Sequence, residues 1–244
     1  MNKLILCEGE TDAILLSYYL QRTCGWNYSK RFPAGMDIKA EKIHGESANW
    51  YRKDDNYLLI CAVGSKNRFQ CFFEEKIAPP LQSSDTAAFS KIALLIDHDD
   101  DSEEEIVQRV RKELSLIARN AEHNAWTAHE YKNGYDETQQ LDFLLLIIPR
   151  DREGALESLL LDAISENPYD KNIVEKSRVF VDGIAPEASR YIGKHRLILK
   201  AHLGVTWAIQ SPQKVFQFID EQLRSTPWEK SEILWETFKK IREI

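Results

Sequence analysis

The chain is poor in the features that mark redox, zinc-binding and membrane proteins. Its four cysteines, Cys7, Cys24, Cys61 and Cys71, form no CxxC pair, and none stands near a histidine at zinc-ligand spacing. Cys7 and Cys61 fall within apolar runs, so small buried residues in a reducing cytosol explain them better than disulfides or metal ligation. No apolar run approaches the roughly 18 residues of a membrane span, and the start MNKLILCEGE lacks the cleavage region of a signal peptide. The expectation is a cytoplasmic protein with no membrane association. The GxxxxGK[ST] phosphate loop is missing, which argues against a self-contained ATPase. Excess positive charge is missing too: 32 Lys and Arg against 39 Asp and Glu leave a net charge of −7. That argues against coating nucleic acid through bulk charge and leaves room for a local basic path.

What is present reads as a folded chain. Hydrophobic residues make up 43% and charged residues 29% of the 244 residues, far from the disordered regime. The most informative stretch is Lys91–Asp101, KIALLIDHDDD. Ile92–Ile96 is apolar without alternation, the pattern of a strand buried on both faces of a parallel sheet. Asp97, Asp99, Asp100 and Asp101 follow where such a strand emerges, at the edge where open α/β sheets place their ligands. Carboxylates this close repel one another unless a cation, a basic side chain or water intervenes. Two readings stay open: a Mg²⁺ or Mn²⁺ site, or a solvated acidic loop capping the next helix.

A second stretch has the same design. Leu4–Cys7 is a short apolar strand ending at Glu8, Gly9 suits a tight turn, and Thr11 or Asp12 can cap a helix beginning near Ala13. Neighbouring strands lie about 4.8 Å apart, so adjacency of these two would bring Glu8 within reach of Asp97 and Asp99.

Glu8-Gly9-x-x-Asp12 after one strand and Asp97-x-Asp99 after another resemble the Toprim domain of topoisomerases, bacterial primases, recombination mediators and nucleases of the overcoming-lysogenisation-defect and ribosomal-RNA-maturase types. The likeness covers roughly residues 3 to 150 and is nearest to the small Toprim-like families in which the module is almost the whole protein. It implies a Rossmann-like α/β domain. It also implies Glu8 as general acid/base or metal ligand, and Asp97 and Asp99 as ligands of Mg²⁺ or Mn²⁺.

The remaining chain supplies further expectations. Tyr57–Val63 (YLLICAV) is another buried strand, and Gly64-Ser65-Lys66 at its end suits either phosphate approach or a helix cap with a solvated lysine. Asn27–Asn56 reads as an insertion without a strong period. Its Arg31, Lys39, Lys42, Arg52 and Lys53 are interleaved with Phe32, Trp50 and Tyr51, as in a nucleic-acid surface or an ordinary polar one. A helix is expected over Arg68–Ile77, ended by Pro79-Pro80, with a loop over Leu81–Ala88. Glu103–Glu105 open a helix whose Ile106, Val110, Leu114 and Ile117 face the core, leaving Arg109, Arg111, Lys112 and Arg119 as a solvated face. Leu141–Ile148 is the fourth strand, after a turn at Asn133-Gly134. The expected architecture is an α/β domain at residues 1–150 with a mainly parallel four-stranded sheet flanked by helices, plus a helical extension over residues 151–244. The extension's helices are placed from Gly154, near Asn172–Val181 and Glu187–Leu203, and over Pro212–Leu223 and Glu229–Ile241, with Ile233, Leu234, Trp235 and Phe238 as a packing face.

Several side chains qualify as accessory members of the site. Glu157, on a helix leaving the same sheet edge, is an additional metal ligand or an ordinary exposed glutamate, and Asp101 is a further carboxylate of the cluster. Lys194, His195, Arg196, Lys200 and His202 give one helix a basic character, suited to a phosphate or to charge balance, with Lys200 singled out for test. Two functional classes follow. One is a Mg²⁺-dependent nuclease acting on DNA or RNA, with Lys66 neutralising phosphate charge. The other is a non-catalytic module that recognises nucleic acid or a protein partner, such as an ATPase, in a repair or phage-defence assembly. The chain has no zinc-ribbon pattern and no evident domain for strand passage, which weighs against primase and topoisomerase.

Overall fold

The computed structural model describes residues 1–83, 88–214 and 223–244. The chain divides into two compact units. Unit 1 comprises Met1–Ile96, Asp101–Ile147 and Phe238–Ile244; unit 2 comprises Asp97–Asp100 and Ile148–Thr237.

A single sheet is built from β1 (Asn2–Cys7), β2 (Asn27–Tyr28), β3 (Ser47–Lys53), β4 (Asn56–Ala62), β5 (Lys91–Asp97), β6 (Trp126–Lys132) and β7 (Thr138–Ile148). Its order is β2-β3-β4-β1-β5-β7-β6. β1 runs parallel to both β4 and β5, with Leu4 opposite Leu59 on one side and Ile92 on the other. β2 with β3, β3 with β4, and β6 with β7 are antiparallel. This corrects the expected four-stranded, mainly parallel sheet. The four expected strands lie side by side as β4, β1, β5 and β7, but the sheet has seven strands and is mixed. The reason is burial: central strands covered on both faces read as unbroken apolar runs. β3 (SANWYRK) buries only Trp50, and β6 (WTAHEYK) buries only His129 and Tyr131, so their sequences look like polar loops.

Unit 1 also holds α1 (Glu10–Cys24), α2 (Phe69–Phe72), α3 (Ala78–Ser83), α4 (Glu103–Glu113) and α5 (Ser115–Ala118). Alternation along the strands splits its core in two. Leu4, Leu6, Leu59, Cys61, Ile92, Leu94 and Ile96 join Phe72, Phe73, Ile77, Ile106, Val110 and Leu114 in one cluster, while α1 packs on β1 and β4. Pro79-Pro80 does not end the helical segment. A π-helical turn at Phe73–Ile77 precedes α3, and the prolines occupy the first turn of α3, where a missing N–H costs least. Trp50 is buried and stacked near Phe32, so it serves the core and not an exposed platform. Phe238–Ile244 is strapped onto the same unit: Trp126 Nε1 donates to the Lys240 carbonyl at 2.8 Å, Lys91 Nζ to the Glu243 carbonyl at 2.6 Å, and Arg242 to the Tyr19 hydroxyl at 3.0 Å.

In unit 2, α6 (Leu156–Ser165), α7 (Pro168–Ile184) and α9 (His195–Gln210) pack on one another, with α8 (Ser189–Ile192) short and adjoining α9. Asn167 caps α7 through the Tyr169 N–H, and Pro168 takes the first helical position. The helix expected over Glu187–Leu203 is broken at Gly193-Lys194, where a Cβ on residue 193 would stand 2.4 Å from the Ser189 carbonyl oxygen. The segment expected as a helix over Pro212–Leu223 lies largely outside the described residues, as does part of the Leu81–Ala88 loop. A short helix, Glu232–Thr237, replaces the long one expected to Ile241. It buries Leu234, while Trp235 stays 47% exposed and does not belong to the packing face. No helix among the described residues is long and apolar enough to cross a membrane.

Candidate functional site

Unit 1 holds the carboxyl ends of β1 and β4. The parallel ladder continues past the strands: Val63 N–H donates to the Cys7 carbonyl at 2.9 Å and Gly64 N–H to the Glu8 carbonyl at 2.8 Å. The Glu8 residue is 2% exposed. Gly9 caps α1 in an extended conformation, so its backbone alone does not require glycine. Its N–H donates to the buried Asp12 carboxylate at 2.8 Å, and a Cβ there would sit 3.1 Å from the same oxygen. Asp12 therefore fixes the strand-to-helix turn.

Gly64 is explained by packing. Its φ of +93° lies in the left-handed region, and a Cβ would land 2.0 Å from the His44 carbonyl oxygen. Its N–H is committed to Glu8, so the phosphate approach expected of it does not use this donor.

Lys66 and Arg109 both meet Asp101 Oδ2, at 3.2 Å and 2.9 Å. Arg109 therefore leaves the solvated face to which its helical spacing assigned it. The Arg109 hydrogen bond, reinforced by Lys66 against partial burial, holds the Asp101 carboxyl below the ordinary carboxylate range. A depressed folded-state pKa means this stabilisation is complete above the unfolded value of about 3.9 and fades as pH falls through the folded value. Asp101→Asn is accordingly expected to flatten the loss of thermal stability below about pH 4. Unfolding temperatures from pH 2.5 to 6 test this, and an unchanged acid limb would refute it. The effect is small because the carboxylate is one-third exposed.

Beside this pair lies an ion pair that sequence reasoning missed. Glu46, whose carboxylate is fully buried, accepts from Arg68 Nη2 at 2.7 Å and from the Glu41 N–H at 2.8 Å. The contact raises the Arg68 pKa. No motif flags Glu46; only its place between Gly45 and β3 hints that it turns inward.

Unit 2 holds the aspartate turn. Asp97 is 4% exposed. Its Oδ1 accepts the N–H of Leu156, the first residue of α6, at 3.0 Å, and its Oδ2 faces Arg196 Nη2 at 3.3 Å. Asp99 takes a left-handed φ of 48° and is tied by a two-way backbone bridge to Gly154, at 2.6 and 3.3 Å. His98 N–H donates to the Ile148 carbonyl at 2.7 Å. Asp100 approaches His195 Nδ1 at 3.6 Å, and Glu157 approaches Lys200 Nζ at 3.9 Å. The basic stretch noted in the sequence thus lies in α9, whose His195, Arg196 and Lys200 each meet a carboxylate. Lys200 and Glu157, chosen separately as candidates, face each other. Among the described residues, no three His, Cys, Asp or Glu side chains gather closely enough to hold a metal ion.

A family model described as Protein of unknown function (DUF3226) matches residues 2–240. The chain belongs to that family. No curated protein matches this DUF3226 member. The chain is similar to the crystal structure of a hypothetical protein from Pyrococcus horikoshii OT3, with 15% identity over 98% of this chain and 99% of that one and a TM-score of 0.46.

Proposed function

We propose that the protein carries out Mg²⁺- or Mn²⁺-dependent phosphoryl transfer on nucleic acid, as a Toprim-type nuclease. The observation that carries this reading is the pairing of β1 with β5: parallel neighbours in register from Lys3–Lys91 to Cys7–Leu95, one followed by Glu8 and the other ending in Asp97 with Asp99 two residues on. Glu8, Asp97 and Asp99 offer only carboxylate oxygens, the donors hard divalent cations take. Bound by them, such a cation would polarise a phosphodiester and acidify an attacking water. Glu8 then serves as the acid/base that takes up the proton, and Lys66 neutralises phosphate charge in place of Asp101.

Asp97 supports a second reading. Both of its oxygens already have N–H partners, as in a carboxylate that caps α6 and anchors α9. A non-catalytic module recognising nucleic acid or a protein partner would use it that way.

Calorimetric titration of Mg²⁺ and Mn²⁺ into wild type, Glu8→Ala, Asp97→Ala and Asp99→Ala, with cleavage assays on single- and double-stranded DNA and RNA, separates the two. The nuclease predicts binding and cleavage in the wild type and loss of both in each variant. Binding without cleavage supports the module, and cleavage that survives the substitutions refutes the proposed site.

A further inference from the structure

Four side chains of α9 meet acidic residues of unit 2: His202 meets Asp182 of α7 at 2.8 Å, and three others meet the aspartate turn or α6. His195 meets Asp100, Arg196 meets Asp97, and Lys200 meets Glu157. Arg196 and Lys200 are four residues apart and so share a face of α9. The three contacts are graded. His195 with Asp100 is exposed and long at 3.6 Å, Lys200 with Glu157 is longer at 3.9 Å, and Arg196 reaches the carboxylate that is almost fully buried. A buried carboxylate needs a counter-charge, and at Asp97 the guanidinium provides it.

We propose that Arg196 is the resident counter-ion of Asp97 and controls divalent-cation occupancy: cation and guanidinium compete for Oδ2, so loading requires Arg196 to swing away. This rests on the metal-binding reading above. Oδ1 remains held by the Leu156 N–H, so Asp97 keeps its place when Arg196 leaves. Lys200 plays the lesser part, because its partner lies farther away and its own side chain is half exposed. The arrangement makes cation affinity lower than the carboxylates alone would give. It also keeps the metal-free protein folded, since Asp97 is never buried without a positive charge.

The test is calorimetric titration of Mg²⁺ and Mn²⁺, without nucleic acid, into full-length wild type, Arg196→Gln, Arg196→Lys and Lys200→Gln, with unfolding temperatures in chelator and in excess Mg²⁺. Arg196→Gln removes the competing charge and is expected to tighten cation binding about tenfold. It is also expected to lower the unfolding temperature in chelator and regain it in Mg²⁺. Arg196→Lys keeps a positive charge and folds without cation; its weaker, single-point grip predicts tightening of about threefold. Lys200→Gln is expected to change affinity less than twofold. Wild-type binding with unchanged or weaker binding in both Arg196 variants overturns the counter-ion role while leaving the metal site standing. Absence of binding in every protein overturns the metal site itself and this inference with it.

Discussion

Gly64→Ala is expected to destabilise the protein by about 4 kcal/mol, the sum of a left-handed backbone penalty of about 1–2 kcal/mol and an overpacking penalty of about 1–3 kcal/mol. The added methyl would meet the His44 carbonyl oxygen at 2.0 Å, and a carbonyl in a tight turn cannot rotate aside as a flexible side chain can. Relief has to come from shifting Lys42–Gly45, a 3₁₀ turn closed by Gly45 at a φ of +73°. That turn leads directly into Glu46, so the shift also loosens the Arg68 ion pair. In a chain of this size each kcal/mol is worth about 2–4 °C, so unfolding should fall by roughly 10 °C. A fall of less than about 2 °C would mean that the turn yields freely and that Gly64 is not held by packing.

Arg68→Ala is expected to cost about 3 kcal/mol, the lower end of the range for breaking a buried pair, because the arginine itself is partly exposed. The loss comes from Glu46, left fully buried with the Glu41 N–H as its remaining hydrogen bond shown here. Such a carboxylate is left buried without its counter-charge. Adding Glu46→Gln should recover much of the loss, since the remaining amide carries no charge to bury. Denaturant unfolding of the single and double variants decides this; equal losses in the two would mean that Glu46 is solvated once Arg68 is gone.

The sheet was legible where strands are apolar throughout. Leu4–Cys7, Tyr57–Val63, Ile92–Ile96 and Leu141–Ile148 announce themselves because both faces are covered. β3 and β6 stayed hidden because Arg52, Lys53, His129, Glu130 and Lys132 alternate with few buried neighbours. For the candidate site, local chemistry singles out Glu8, Asp97 and Asp99 at the strand ends, and Lys66 by its place after Gly64. Partnerships were not legible. Asp101 with Arg109 is a contact eight residues apart, Asp97 with Arg196 one ninety-nine residues apart. No local period carries such a pairing, and the helical spacing of Arg109 pointed it toward water.

The placement of residues 238–244 bears on how the molecule is made. Unit 1 is interrupted twice, first by Asp97–Asp100 and then by Ile148–Thr237, and Phe238, Ile241 and Ile244 are buried in it on the far side of the second interruption. A ribosome therefore delivers β1 to β7 well before the strap that closes over Tyr19, Trp126 and Lys91. Until then the ring of Tyr19 lacks the edge-to-face partner it finds in Phe238 at 5.1 Å. The first unit is thus complete only after residues 148–237 have been made, and a fragment cut at residue 150 would lack the strap and leave Tyr19 without its Phe238 partner.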